Sequence, residues 1–118
     1  MPTCTFIVLS NALDGRDDEF NAWYSDIHIH DALKVRGMRS AQRFTLTDVQ
    51  RRDPPHEYRY LCIYEVESEH LAEAMATLRR LSGTEVMPVS ETFAPNPLSF
   101  VFRPITEKVL SDGKGSLS

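Results

Sequence analysis

One histidine in this chain has neighbours that could make it a proton carrier. Tyr24 precedes His28 by four residues and Asp31 follows it by three, so a helix through this stretch gathers the three side chains on one side. A carboxylate orienting one ring nitrogen would leave the other free to take a proton near neutral pH, which is general-base chemistry at a carbon beside a carbonyl or phenol. The plainer reading makes His28 a helix-end hydrogen-bonding group and Asp31 a loop anchor, and both readings stand at this point. Asp26, His28 and His30 alternate. On a strand His28 and His30 would share a face and could chelate a metal, but on a helix they diverge by about 200°, so no metal is expected. His56, in a proline-rich stretch, and His70, on a later helix, are read as solvated.

A second set of residues is aromatic. Phe20, Trp23 and Tyr24 recur at helical spacing, which suits either a core stripe or the wall of a pocket. Tyr58, Tyr60 and Tyr64 fall on one face of a strand, with Arg43 on a neighbouring one. Buried phenols need partners, so that face is either a polar-lined cavity or an interface between two copies. In a cavity, Tyr60 and Arg43 could hold a carboxylate, enolate or phenolate oxygen while His28 handles the proton. Phe6, on the first strand, joins Trp23, Tyr24, Arg43, Tyr58 and Tyr60 as a candidate substrate contact. Nucleophile-elbow, dinucleotide and phosphate-loop motifs are absent from the sequence, and no cofactor is expected.

The elements that must position these residues are set by periodicity. Thr3–Leu9 reads as a strand. From Asp17 an acidic first turn opens a helix whose inward stripe is Phe20, Trp23, Tyr24 and Ile27, running on until Gly37. Met38–Thr47 alternates, with Met38, Ser40, Gln42, Phe44 and Leu46 pointing one way and Arg39, Ala41, Arg43 and Thr45 the other. Residues 48–57, with Pro54-Pro55, form an exposed connection. In the strand Tyr58–Val66, the residues Tyr58, Tyr60, Cys62, Tyr64 and Val66 share a face. Ser68 caps a helix striped by Leu71, Ala74, Met75 and Leu78 and ended by Gly83. Leu98–Phe102 is the last strand. The order β-α-β-β-α-β is the split βαβ, ferredoxin-like α+β arrangement. Its helices cover one sheet face, and pairing of two copies would cover the other.

Bulk properties narrow the partners. With 118 residues, 42% of them hydrophobic, the chain is expected to form one domain over residues 1–110, with a loose Gly/Ser/Lys tail at 111–118. A net charge of −4 with scattered Lys and Arg argues against nucleic acid. No apolar run is long enough to cross a bilayer, and a cytoplasmic location is the expectation. Cys4 and Cys62, each inside a strand, are read as buried free thiols.

Two stretches carry a family resemblance. They are Asp14-Gly15-Arg16-Asp17-Asp18-Glu19-Phe20-Asn21-Ala22-Trp23-Tyr24, then His28 with Asp31, succeeded by Gly37-Met38-Arg39-Ser40-Ala41-Gln42-Arg43-Phe44. The chain resembles the EthD-like group of the dimeric α+β barrel superfamily. It departs from the common pattern at His30, often Pro, and Ile27, often acidic. The resemblance implies a homodimer closed by two sheets, with a small-molecule pocket between sheet and helices in each subunit. It further implies a cofactor-independent isomerase, cyclase, lyase or oxygenase acting on small aromatic, lactone or polyketide-like molecules. A non-catalytic accessory protein of an oxidative pathway and a haem-binding relative are the alternatives.

Overall fold

The computed structural model describes residues 2–118. β1 (Thr3–Ser10) leads into a continuous helical stretch built of α1 (Asp17–Trp23), a π turn (Tyr24–His28) and α2 (Ile29–Ala32). β2 (Met38–Thr45) and β3 (Tyr60–Glu67) come next, then a 3₁₀ turn (Ser68–His70), α3 (Leu71–Leu81) and β4 (Leu98–Phe102). The strands form one antiparallel sheet in the order β2-β3-β1-β4, the α+β ferredoxin-like arrangement expected from the sequence. β1 and β2 each pair with β3, which lies between them as the split βαβ unit requires.

Register decides which side chains meet the helices. Cys4, Phe6, Val8 and Ser10 of β1 oppose Val66, Tyr64, Cys62 and Tyr60 of β3. This face lies under the helical layer, and Tyr60, Cys62, Tyr64 and Val66 are all buried there with Phe20, Tyr24 and Ala74. Burial of a side chain the size of Phe20 contributes about 1.5–3 kcal/mol, so the aromatic stripe of α1 fastens the helix to the sheet. The tyrosine-rich face of β3 is therefore core beneath helices, not a contact between copies. Cys4 and Cys62 are both buried and free, as expected.

The other face lacks a helical cover. Ile7, Leu9, Leu61 and Ile63 occupy its centre, with Phe44 beside Leu61 and Leu98, Phe100 and Phe102 along β4. Phe100 and Phe102 are 48% and 55% exposed.

Three local expectations are corrected. Met38 does not share a face with Ser40, Gln42 and Phe44, because an irregularity between Met38 and Ser40 shifts the register. The extra residue flips the phase, so Met38 joins Ala41 in the core. Ser68 does not cap α3. It lies inside the 3₁₀ turn, and its hydroxyl meets the Cys4 thiol at 3.5 Å. The first helix stops at Ala32 rather than running to Gly37; tight turns carry the chain to Gly37, which has φ +97°. A Cβ at Gly37 would stand 2.7 Å from that of His70, so both backbone sign and close approach require glycine.

Candidate functional site

The π turn determines which residue of the first helical stretch faces inward. In an α-helix the residue four after Trp23 would continue its stripe, and that residue is Ile27. A π turn closes i to i+5 instead, so the residue that comes back beneath Trp23 is His28. Ile27 is 49% exposed, contrary to the expectation that it joins the apolar stripe. The His28 ring stacks on Trp23 with centroids 4.7 Å apart and planes 26° apart, and meets Tyr24 edge-on at 5.0 Å. His30, two residues on, is exposed, so the two imidazoles diverge.

A cavity of about 550 Å³ opens against this cluster. Its floor is Phe6, Val8 and Tyr64 of the sheet, with Phe6 stacked on Tyr64 at 5.5 Å. Trp23, Tyr24, His28 and Ala32 form one wall, Met75, Leu78 and Arg79 of α3 another. The segment between α3 and β4 supplies Met87, Val89 and Phe93, and β4 adds Ser99, Phe100 and Val101. Phe93 is held by a bridge to Ala12 and packs edge-on to Phe20 at 5.7 Å. The lining is mostly apolar with a few polar groups, the usual chemistry of a small-molecule site.

Electrostatics in this wall favour a neutral imidazole. Desolvation lowers the His28 pKa below its ordinary 6.5; the Asp31 carboxylate opposes that, and the Arg43 guanidinium reinforces it. His28 Nδ1 and Trp23 Nε1 are buried without hydrogen-bond partners among the described residues. Leaving such a group unsatisfied costs about 1–3 kcal/mol. Burial likewise raises the Tyr24 and Tyr64 hydroxyls, so both remain protonated and able to donate.

Of the residues singled out in the sequence, Phe6, Trp23, Tyr24 and His28 come together in this cavity. Arg43 and Tyr60 do not line it. They line a shallower cavity of about 420 Å³ with Asn21, Ser25 and Arg59. Their polar atoms are engaged within the chain: Tyr60 donates to Asp17 at 2.5 Å, and Arg43 donates to Ser25 and Asn21 at 2.9 Å each. Tyr58 is placed elsewhere, its hydroxyl donating to the Asn96 carbonyl at 2.7 Å. Asp31 acts on His28 only through space. Its carboxylate lies 3.7 Å from the Lys34 ammonium, and the imidazole Nδ1 has no hydrogen-bond partner among the described residues. Among the described residues no cluster of three or more His, Cys, Asp or Glu could hold a metal, and no helix is long and apolar enough to cross a membrane.

Sequence reasoning placed Tyr64 on a possible cavity face without naming it a substrate contact, placed Met75 on the stripe of its helix, and singled out none of Met75, Arg79, Met87, Val89 and Phe93 for the site. Met75 and Tyr64 carried a signal, since each belongs to the inward face of its element. Met87, Val89 and Phe93 carried none, because they sit in a segment without regular periodicity.

No protein-family model matches the chain, and no curated protein matches it. A solved structure does, described as the crystal structure of an ethyl tert-butyl ether d (EthD) family protein from Bacillus halodurans C-125. The TM-score is 0.59 at 13% identity, covering 89% of this chain and 100% of that one. The fold expected from the sequence resemblance is therefore met in three dimensions, and this chain has the fold of that EthD family protein.

Proposed function

We propose that this chain is a cofactor-independent enzyme that moves a proton on a small aromatic molecule, with His28 as the base. The observation that supports this reading is a neutral-leaning imidazole stacked in the wall of an aromatic cavity of about 550 Å³. Neutral imidazole accepts a proton, and the desolvation that keeps it neutral strengthens its interaction with charge developing on a bound molecule. The elementary step breaks a C–H bond beside a carbonyl, sends its electron pair into the carbonyl system as an enolate, and places the proton on a ring nitrogen of His28. Tyr64 or Tyr24, protonated at neutral pH, can donate to the enolate oxygen. Isomerisation, cyclisation, elimination and oxygenation all begin this way. Two copies pair through the helix-free sheet face, where Phe44, Leu98, Phe100 and Phe102 are left exposed.

Exchange of the α-hydrogens of 2-tetralone in D₂O, monitored by proton NMR, tests the step without knowledge of the natural substrate. The wild-type protein accelerates exchange, and His28→Ala slows it by about 10²–10⁴-fold with an unchanged circular dichroism spectrum. Equal exchange in the two proteins would remove His28 as the base. A carrier role is the second reading, favoured by a His28 Nδ1 that no carboxylate holds among the described residues. It predicts quenching of Trp23, the one tryptophan in the chain, by 2-tetralone without acceleration of exchange.

A further inference from the structure

Arg43 lies outside the cavity yet touches the segment that shapes it. Its guanidinium donates to Asn21 Oδ1 and to Ser25 Oγ at 2.9 Å each, and its centre lies 4.3 Å from the Tyr24 ring centroid. Asn21 belongs to α1 and Ser25 to the π turn, so one planar fork on β2 spans the junction where the helix widens. Phe20 and Tyr60 complete the surroundings, at 5.6 and 5.5 Å from the guanidinium. No carboxylate pairs with Arg43 among the described residues, which makes it a half-buried charge held by neutral acceptors and aromatic faces.

We propose that Arg43 is the positioning residue of the candidate site: its fork fixes the π turn that turns His28 rather than Ile27 into the cavity. The reasoning is geometric. A helix prefers the α form, and one residue more or less per turn rotates every later side chain by about 100°. Tethering Asn21 and Ser25 to a common rigid group on the sheet opposes that tightening. Lysine cannot replace this function, because a single ammonium lacks the planar pair of donors. The inference deepens the His28 reading but rests on the turn geometry alone, and it is tested without any substrate.

Trp23 provides the readout, since a protonated imidazole stacked on an indole quenches its fluorescence. The groups facing His28 are Asp31 from α2, Tyr24 from the π turn and Arg43 from β2, and across the cavity Arg79 from α3 and Tyr64 from β3. Fluorescence titrated against pH gives two numbers, a midpoint set by the charges around His28 and a quench amplitude set by the stack. The wild-type midpoint lies below 6.5, as burial lowers the His28 pKa.

Arg43→Met, which removes charge and fork together, raises the midpoint and at least halves the amplitude. Arg43→Lys retains the charge, so the midpoint stays closer to wild type while the amplitude still falls. The double variant Asn21→Ala/Ser25→Ala leaves Arg43 in place and removes its two acceptors, along with the Asn21 Nδ2 donation to the Tyr60 hydroxyl; it lowers the amplitude as Arg43→Lys does, and it decides the matter if Arg43→Met fails to fold. A wild-type amplitude in the double variant, or in a folded Arg43→Met, overturns the proposal. Failure of the 2-tetralone exchange assay would leave this result untouched, and the reverse holds equally.

Discussion

At the scale of single residues, His28 is the group whose environment departs furthest from what its local sequence implies. Its pKa is lowered chiefly by desolvation, so the neutral ring is the folded-state form near pH 7. That direction sets the sign of the linked stability. The unfolded chain binds a proton at about 6.5, whereas the folded chain resists it to lower pH. Stability contributed by the neutral ring is present above 6.5 and is lost as pH falls from there through the folded value. His28→Gln removes this segment of the pH–stability curve, which urea denaturation at pH 7.5, 6.0 and 5.0 measures. Asp31 works in the opposite direction, favouring the imidazolium. Asp31→Asn therefore lowers the His28 midpoint further, and a carbon-13 titration of the ring reads the change. An upward shift would mean that the carboxylate does not face the ring. The Tyr24–His28–Asp31 grouping was legible from spacing alone, but spacing could not tell that Asp31 keeps its oxygens near Lys34 rather than on the ring.

At the scale of elements, the strands and helices were legible because their apolar residues repeat at 2.0 or near 3.6, and β4 was read with its observed ends. Departures came where one residue is inserted into a regular pattern. The π turn exchanges Ile27 for His28, and the bulge beside Arg39 moves Met38 to the other face. Neither leaves a compositional mark, since each is a compromise between the local repeat and the packing of α1 and β2 against β3. The Gly37 turn is different, because its constraint is written in the residue type. Gly37→Ala meets a positive φ and the Cβ of His70 at once. It lowers stability by about 1–3 kcal/mol, seen as a lower urea midpoint with an unchanged m-value. A midpoint within error of wild type would show that the turn relaxes freely.

At the scale of the whole molecule, the helix-free face is where the proposed pairing of two copies is tested. Its apolar side chains lie along all four strands, and pairing with a second copy is the arrangement that most simply removes them from water. Ile63 sits at the centre of that face, opposite Ile7 and beside Gln42. On the proposed pairing, the wild-type protein sediments as a dimer and Ile63→Glu as a monomer, with the far-ultraviolet circular dichroism retained. A wild-type protein that sediments as a monomer at all concentrations would exclude the pairing. Element order and the two-faced alternation of β3 carried this expectation from the sequence.

The cavity wall is assembled from stretches with separate duties. The imidazole arrives on the first helical layer, whereas Met87, Val89 and Phe93 arrive on the irregular segment leading into β4. The proposed proton acceptor and these lining residues thus come from separate parts of the chain. Of these three, Met87 is buried in the core and Phe93 packs on Phe20, Trp23 and Tyr24, so only Val89, 41% exposed, stands clear of the wall that carries His28. On the proposed reading, exchange of Val89 retunes the guests such a scaffold admits without disturbing the imidazole.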